Sequence, residues 1–496
     1  MKTEKKNPLK LHDFDFIKNR IKKIPYLFAK ENNLIALEEK NGKILVAISD
    51  LHDFEAINEL YLMLGADIET LVCKKHEIEQ AIEKCYHKTT KKNPLKNENL
   101  RIEKVEGYDL LEHSSNNEAV NILNTIILEA ITQKASDIHL EPEENILKIR
   151  YRIDGILQKK DFIASQHISQ IITRIKVMAK LDIAEKRLPQ DGRIKLMINK
   201  REIDFRLSTV PTVFGERLVL RILDRSNIVL GLDAIGMEKK LLSDFKNAIS
   251  HTEGIVLVTG PTGSGKTTTL YSAISELNSS ALNIMTIEDP VEYKLTNISQ
   301  MTINPKIDLT FARGLRHILR QDPDIIMIGE IRDRETADIA IQSALTGHLV
   351  LSTLHTNDAP SAIIRLADMK IEPYLLSSII IAVLAQRLVR TICPSCKEEY
   401  KPTGFELEQL HLHQKFLYRG KGCSKCFNSG YLGRCGIYEM MLLKDKIKHQ
   451  IIQDLDIEKL KSSLDTDYQT LLQNGKELVK KGITTSEEVF RVTRHM

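Results

Sequence analysis

No stretch of this chain approaches the run of about eighteen apolar residues that a membrane-spanning helix needs. The polar opening Met1-Lys2-Thr3-Glu4-Lys5-Lys6 likewise lacks the apolar core of a secretory signal, so the expected location is the cytoplasm. Tryptophan is absent, aromatic residues make up only 5%, and no aromatic-basic tract of the kind that stacks and tracks single-stranded nucleic acid is present. Charge of one sign is not in excess either. Seventy-one basic residues against 67 acidic ones leave a net charge of +4, too even to make a polyanion the obvious partner. Nucleic acid is therefore a disfavoured ligand.

What is there is the composition of a folded protein, 42% hydrophobic and 28% charged over 496 residues, enough for roughly three domains at about 150 residues each. Residues 1–87 alternate short apolar runs, such as Ile44-Leu45-Val46-Ala47-Ile48, with the helical spacing of Ile57, Leu60, Tyr61 and Leu64, the pattern of a small α/β domain. Residues 88–114 are rich in lysine and asparagine and read as a linker. A second domain over 115–227 opens with Val120, Leu123, Ile127 and Ile131 at helical spacing, followed by strands near 138–140 and 146–153. From 228 to 391 apolar strands at 255–258, 283–287, 324–328 and 349–354 alternate with helices, as in a parallel α/β sheet. A cysteine-bearing subdomain over 392–436 and a helical region over 437–496 complete the chain, the latter with no assignable chemistry.

Gly260-Pro261-Thr262-Gly263-Ser264-Gly265-Lys266-Thr267-Thr268 contains the G-x-x-x-x-G-K-[ST] phosphate loop, directly after an apolar strand and before a helix. Its glycines let successive N–H groups converge on phosphate oxygens at a helix N-terminus. Lys266 is expected at the β- and γ-phosphates of ATP and the Thr267 hydroxyl on Mg²⁺. Glu330 ends the strand Ile325-Ile326-Met327-Ile328 and suits a base or water-orienting carboxylate, while Gly329 occupies the place of the usual Walker B aspartate. Glu288-Asp289-Pro290-Val291-Glu292 ends another strand; it reads equally as help for Mg²⁺ or as an acidic helix-capping turn.

Four blocks, Thr286-Ile287-Glu288-Asp289-Pro290-Val291-Glu292-Tyr293, Leu319-Arg320-Gln321-Asp322-Pro323-Asp324, Gly329-Glu330-Ile331-Arg332-Asp333 and Thr346-Gly347-His348-Leu349-Val350-Leu351-Ser352-Thr353-Leu354-His355-Thr356-Asn357, resemble the secretion ATPases of type II secretion and type IV pilus assembly. Ser136-Asp137-Ile138-His139 and Leu188-Pro189-Gln190-Asp191-Gly192-Arg193 extend that resemblance over about residues 115 to 440. It implies a RecA-like P-loop core preceded by a PAS-like α/β domain, an aspartate box whose catalytic member is Glu292, and Glu330 as Walker B base. His348 and His355 fall in the histidine box, and Arg206 and Arg221 match second-domain arginines that close onto ATP. Arg313, Arg316 and Arg320 share a helical face and suit either a subunit contact or simple solvation.

Seven cysteines include two C-x-x-C pairs, Cys393/Cys396 and Cys423/Cys426, the ligand set of a closed tetrahedral Zn²⁺ site and, in the resemblance, its tetracysteine motif. Cys73, Cys85 and Cys435 are expected as free buried thiols. The resemblance further implies a homohexameric ring and an N-terminal domain that docks on the cytoplasmic domain of an inner-membrane platform component. Acidic phospholipid is a further candidate partner. The expected activity is ATP hydrolysis coupled to assembly of a pseudopilus or pilus fibre. The alternatives are a pilus-assembly or DNA-uptake motor of the same family, a pilus-retraction motor, which is expected to lack both the tetracysteine insert and the N-terminal domain, a nucleic-acid translocase, and a scaffold without turnover.

Overall fold

A computed structural model of the chain describes residues 118–198, 201–224, 231–410, 412 and 414–493, together with 24, 28–29, 32–40, 43–49, 57, 60, 67–78 and 108–109. The chain divides into two compact units, Met1–Lys104 and Val105–Met496. In the first, β1 (Leu34–Lys40) pairs antiparallel with β2 (Lys43–Ile48), which pairs parallel with β3 (Asp67–Val72). Ile44, Val46 and Ile48 of β2 are buried with Leu34, Leu60 and Ile78, so the small α/β core expected from the sequence is present. Ile57 and Leu60 are helical; Tyr61, Leu64 and Cys85 lie outside the described residues.

The second unit holds two seven-stranded sheets. One is built from β4 (Tyr108–Asp109), β5 (Ala135–Pro142), β6 (Ile146–Ile153), β7 (Ile156–Ala164), β8 (Gln190–Ile198), β9 (Arg201–Thr212) and β10 (Gly215–Asp224), in the order β4-β8-β9-β10-β5-β6-β7. Helices α1 (Glu118–Thr132) and α2 (Ser165–Met178) bury Leu123, Ile127, Ile171 and Ile175 against inward residues such as Ile138, Tyr151, Phe205 and Leu220. Alternation along these strands leaves the other face free for polar side chains. Strand β4 falls within the stretch expected as linker, where two residues pair with Leu196 and Met197 of β8.

The second sheet has β11 (Gly254–Thr259) near its centre, in the order β13-β12-β14-β15-β11-β16-β19, with β12 (Ile284–Glu288), β13 (Ser299–Thr302), β14 (Ile325–Ile328), β15 (Leu349–Leu354), β16 (Ile380–Ile392) and β19 (Tyr431–Leu442). All neighbours run parallel except β16 and β19. Every residue of β11, β14 and β15 is buried, because helices cover both faces. Those helices are α3 (Lys239–Ile249), α4 (Lys266–Leu277), α5 (Phe311–Ile318), α6 (Arg334–Leu345), α7 (Ala359–Asp368) and α8 (Pro373–Ile379).

Between β16 and β19 the chain makes a hairpin, β17 (Lys397–Tyr400) with β18 (Leu417–Gly420), and a short helix, α9 (Gly404–Gln409). The helices after β19, α10 (Asp445–Gln453), α11 (Ile457–Ser462), α12 (Leu471–Lys480) and α13 (Ser486–Thr493), return to the parallel sheet. Ile447, Ile451, Leu460 and Leu471 share one core with Ile255, Val350 and Val383. Among the described residues no helix is long and apolar enough to cross a membrane.

Candidate active site

Parallel strands deliver their carboxyl ends to one edge of a sheet, and ligands of open α/β sheets bind outside that edge. Here the edge carries the phosphate loop after β11, Glu288 at the end of β12, Glu330 after β14 and His355 after β15. With Arg221, Ile222 and Leu223 of β10 they line a cleft of about 760 Å³, within the usual range for small-molecule sites.

The phosphate loop folds as its glycines require. Gly265 caps α4 at φ 90°, and a Cβ there would lie 2.7 Å from Gln386 Nε2, so a side chain is excluded on both counts. Lys266 is buried; its Nζ donates to the carbonyls of Gly260 at 2.7 Å and Pro261 at 3.1 Å. Burial brings its pKa down to about 8, against the attraction of Glu330 and with the help of Arg387. Thr267 and Thr268 are exposed to the cleft. Ser264 Oγ is buried without a hydrogen-bond partner. An unsatisfied hydroxyl in the phosphate loop, two residues before a lysine, suits phosphate oxygens, and the exposed Thr267 hydroxyl suits a hard cation such as Mg²⁺.

Glu330 is held from two sides. Arg332 Nη2 lies 2.5 Å from Oε1 and His355 Nε2 3.3 Å from Oε2. Burial first, and Lys266 next, lower the His355 pKa below its ordinary value, so at neutral pH the imidazole meets Glu330 as a neutral donor. Gly329 in place of an aspartate has a packing reason: its N–H donates to Ile287 O at 2.8 Å, and a Cβ would sit 3.3 Å from Glu288 Cα. The following Asp333 caps α6, accepting Thr336 N–H at 2.8 Å, and Asp358 does the same for α7 through Ser361 N–H at 2.8 Å.

The second-domain arginines arrive by register. Arg193, Arg206 and Arg221 are partners across β8, β9 and β10, and Asp137 of β5 is the partner of Arg221. Directly opposed residues of antiparallel strands share a face, so the four side chains form one row. Arg206 Nη2 reaches Glu292 Oε2 at 3.2 Å, and Arg221 Nε donates to Asp137 Oδ1 at 3.0 Å while lining the cleft. The Ser136-Asp137-Ile138-His139 signature thus contains the carboxylate that orients Arg221.

Not every expected residue is gathered here. His348 precedes β15 and lies at the opposite end of that strand from His355, roughly 20 Å away at about 3.3 Å per residue. Its Nδ1 lies 2.8 Å from Ser343 O at the end of α6. Glu288 is buried and engaged by Tyr271, Thr286 and Gln300, neither a free ligand nor a helix cap. Arg313 pairs with Asp308 at 2.5 Å and Arg316 with Glu335 at 2.7 Å, both exposed, while Arg320 lies beyond the end of α5. Arg332 and Arg193 stand within motifs that the sequence exposes, but only the ion pair and the register single them out. Arg387 of β16, whose Nη2 donates to Asn357 O at 3.0 Å, carries no sequence signal, being one arginine in an apolar strand.

The four motif cysteines converge between β16 and β19. Their sulfurs lie within 4.8 Å of one another, with pairs at 3.7, 3.8 and 3.9 Å. A tetrahedron with metal–sulfur bonds of about 2.3 Å has edges of about 3.8 Å, so the cluster has the dimensions of a closed thiolate metal site. Cys73 and Cys435 are free but half-buried rather than fully enclosed, and burial pushes the Cys435 thiol up to about 11.

Residues 112–491 match the family model described as Type II/IV secretion system protein, and residues 8–91 match the MshEN domain. The chain is 45% identical over 486 residues to the type II secretion system protein E of Dickeya dadantii, covering 95% of this chain and 97% of that one. It is 41% identical to the type IV pilus assembly ATPase PilB of Myxococcus xanthus, covering 97% and 88%. Among solved structures it resembles the ADP-bound pilus retraction motor PilT, with a TM-score of 0.51 and 26% identity over 75% of this chain and 96% of that one. The Legionella pneumophila ATPase DotB, at 20% identity over 79% and 100%, shares the fold with a TM-score of 0.57. The chain, with its phosphate loop at the carboxyl edge of a parallel sheet, is a P-loop ATPase that belongs to the Type II/IV secretion system protein family.

Proposed function

We propose that the chain is a homohexameric, cytoplasmic ATPase motor that couples ATP hydrolysis to assembly of a pseudopilus for type II secretion. The observation that carries this reading is the joint cleft, in which the carboxyl edge of the P-loop sheet and β10 of the second domain line one nucleotide-sized volume. A nucleotide held there touches both domains, so its hydrolysis can change their relation.

Lys266 and the loop N–H groups hold the phosphates, and Glu330 orients and deprotonates the attacking water. His355 and Arg332 keep the Glu330 carboxylate aimed, while Arg221 supplies positive charge from the second domain. Mg²⁺ on Thr267, when bound, neutralises charge on the triphosphate. Glu292 takes part from the aspartate-box loop through Arg206. Zinc on the four cysteines would be structural, since four thiolates leave no open position. The N-terminal unit is assigned to docking on the cytoplasmic domain of an inner-membrane platform component, with acidic phospholipid as a secondary contact.

Pilus assembly is the second reading, favoured by the near full-length match to a pilus assembly ATPase. The test is steady-state ATPase activity against size-resolved oligomeric state, for the parent chain and Glu330→Gln, with the cytoplasmic domain of each candidate platform protein added in turn. Hydrolysis that rises with ring formation and with the secretion partner, and that Glu330→Gln abolishes without loss of ATP binding, supports the secretion motor. Stimulation by the pilus partner alone assigns the second reading. A response only to DNA overturns both.

A further inference from the structure

Tyr271 lies on α4, the helix that starts at the phosphate loop, with its side chain fully buried. Its ring stands edge-on to Tyr293, with centroids 4.5 Å apart at 82°, a favoured geometry for paired aromatics. A buried tyrosine in a core needs one hydrogen-bond partner for its hydroxyl. This one has three: it donates to Glu288 Oε2, accepts the backbone N–H of Glu292 at 3.3 Å and accepts a long contact from Gln300 Nε2 at 3.5 Å.

Glu288 is the hub of the arrangement. Its other oxygen accepts Thr286 Oγ1–H at 2.6 Å and Gln300 Nε2–H at 3.2 Å. Gln300 also donates to Tyr293 O at 3.2 Å and accepts Leu295 N–H at 2.7 Å. The loop carrying Glu292 is thereby tied at three backbone points, residues 292, 293 and 295, to side chains that converge on one buried carboxylate. A buried carboxylate is tolerated only when several donors satisfy it, and here each donor comes from a different element.

We infer that Tyr271 is a positioning residue for hydrolysis, fixing the Glu292 backbone relative to the phosphate-binding helix so that the Glu292 carboxylate meets Arg206 of the second domain. The inference rests on the reading of Glu292 as part of the hydrolytic machinery. Tyr271 is buried and does not line the cleft; it acts through the Glu292 backbone, and Glu288 serves as its anchor.

The test uses the full chain and four variants, Tyr271→Phe, Thr286→Val, Glu292→Gln and the Tyr271→Phe/Glu292→Gln pair, with kcat, KM and the affinity for a fluorescent ATP analogue measured on each. Phenylalanine keeps the ring contact and removes only the hydroxyl. Tyr271→Phe is expected to lower kcat about tenfold, the effect of one hydrogen bond felt at the transition state, with analogue affinity within about twofold of the parent. Thr286→Val takes a different donor from the same carboxylate and is expected to leave kcat within about twofold. On Glu292→Gln, Tyr271→Phe is expected to cost nothing more. An unchanged kcat in Tyr271→Phe overturns the inference. So do equal losses in Tyr271→Phe and Thr286→Val, and so does a full further loss in the double variant. Should Tyr271→Phe fail to fold, Gln300→Met, which frees the 293 and 295 tethers together with the Gln300 contacts to Glu288 and Tyr271, must show the same fall in kcat at constant affinity, and a fall in affinity instead counts against the proposal. A Glu292→Gln variant that turns over at the parent rate sinks the assignment of Glu292 itself, an outcome visible in that variant alone.

Discussion

Arg206 and Glu292 stand 86 positions apart in the chain and meet at 3.2 Å, joining β9 of the second domain to the loop after β12 of the P-loop sheet. With side chains 26% and 36% exposed, the pair contributes only about 0–1 kcal/mol to stability. Its value is geometric: it is a contact that registers whether the second domain is seated on the nucleotide edge. Arg206→Ala is therefore expected to leave the melting temperature within about 2 °C while lowering kcat by about 10²-fold, the scale of losing one charge-stabilising donor. Arg206→Lys should not restore activity, since an ammonium lacks the planar guanidinium fork. Calorimetric melting and steady-state ATPase assays on the same samples check both statements.

The two histidines of one sequence block should separate cleanly. His355→Ala removes a group 3.3 Å from Glu330 and is expected to lower kcat about tenfold or more. His348→Ala alters the far end of β15, where the ring lies against the Ser343 carbonyl, and should leave kcat within about twofold with a small loss of thermal stability. Equal losses of turnover in the two variants would contradict the placement.

Nucleotide affinity should depend on the charge of Lys266. Burial holds its pKa near 8, and a triphosphate laid against it favours the ammonium form. Binding then takes up a proton above pH 8, so affinity is fully expressed below pH 8 and weakens by up to about tenfold per pH unit above it. Folding stability from the same group moves the other way. Between the lowered folded pKa and the ordinary unfolded one the unfolded chain binds more protons, so stability rises with pH there. Isothermal titration of an ATP analogue from pH 7 to 9, on the parent chain and on Lys266→Arg, is the measurement; a flat profile in the parent would rule the effect out.

Metal removal tests the cysteine cluster. Elemental analysis of the purified chain is expected to find about one zinc per chain, and Cys396→Ser to abolish it. Because Cys393 follows β16 directly and the cluster joins β16 to β19, zinc loss should lower the melting temperature of the whole P-loop unit. Gln386 of β16 accepts from Thr269 of the phosphate-loop helix at 2.7 Å, so nucleotide affinity should weaken with it. A chain that lacks zinc yet melts at the same temperature would make the cluster dispensable.

Wherever function requires a backbone shape or a fixed ligand count, this protein was legible as a string of residues. The phosphate loop needs glycines at set spacing before Lys266 and Thr267, the metal cluster needs four thiols in two pairs, and buried parallel strands need unbroken apolar runs such as Gly254–Thr259. These are local demands, which a one-dimensional pattern can carry. The strand ends, Glu330 among them, followed from the same periodicity.

The tertiary structure alone decided which of those residues meet. Register across β8, β9, β10 and β5 set Arg193, Arg206, Arg221 and Asp137 in one row. The length of β15 sent His348 and His355 to opposite edges of the sheet. Packing turned Glu288 from a candidate Mg²⁺ helper into a buried anchor. The terminal helices α10 to α13, featureless as a sequence, close the apolar face of the P-loop sheet. The physical reason is that motifs specify conformation over a few residues, whereas contacts between residues distant in sequence depend on strand order, register and burial, which only the packed chain fixes.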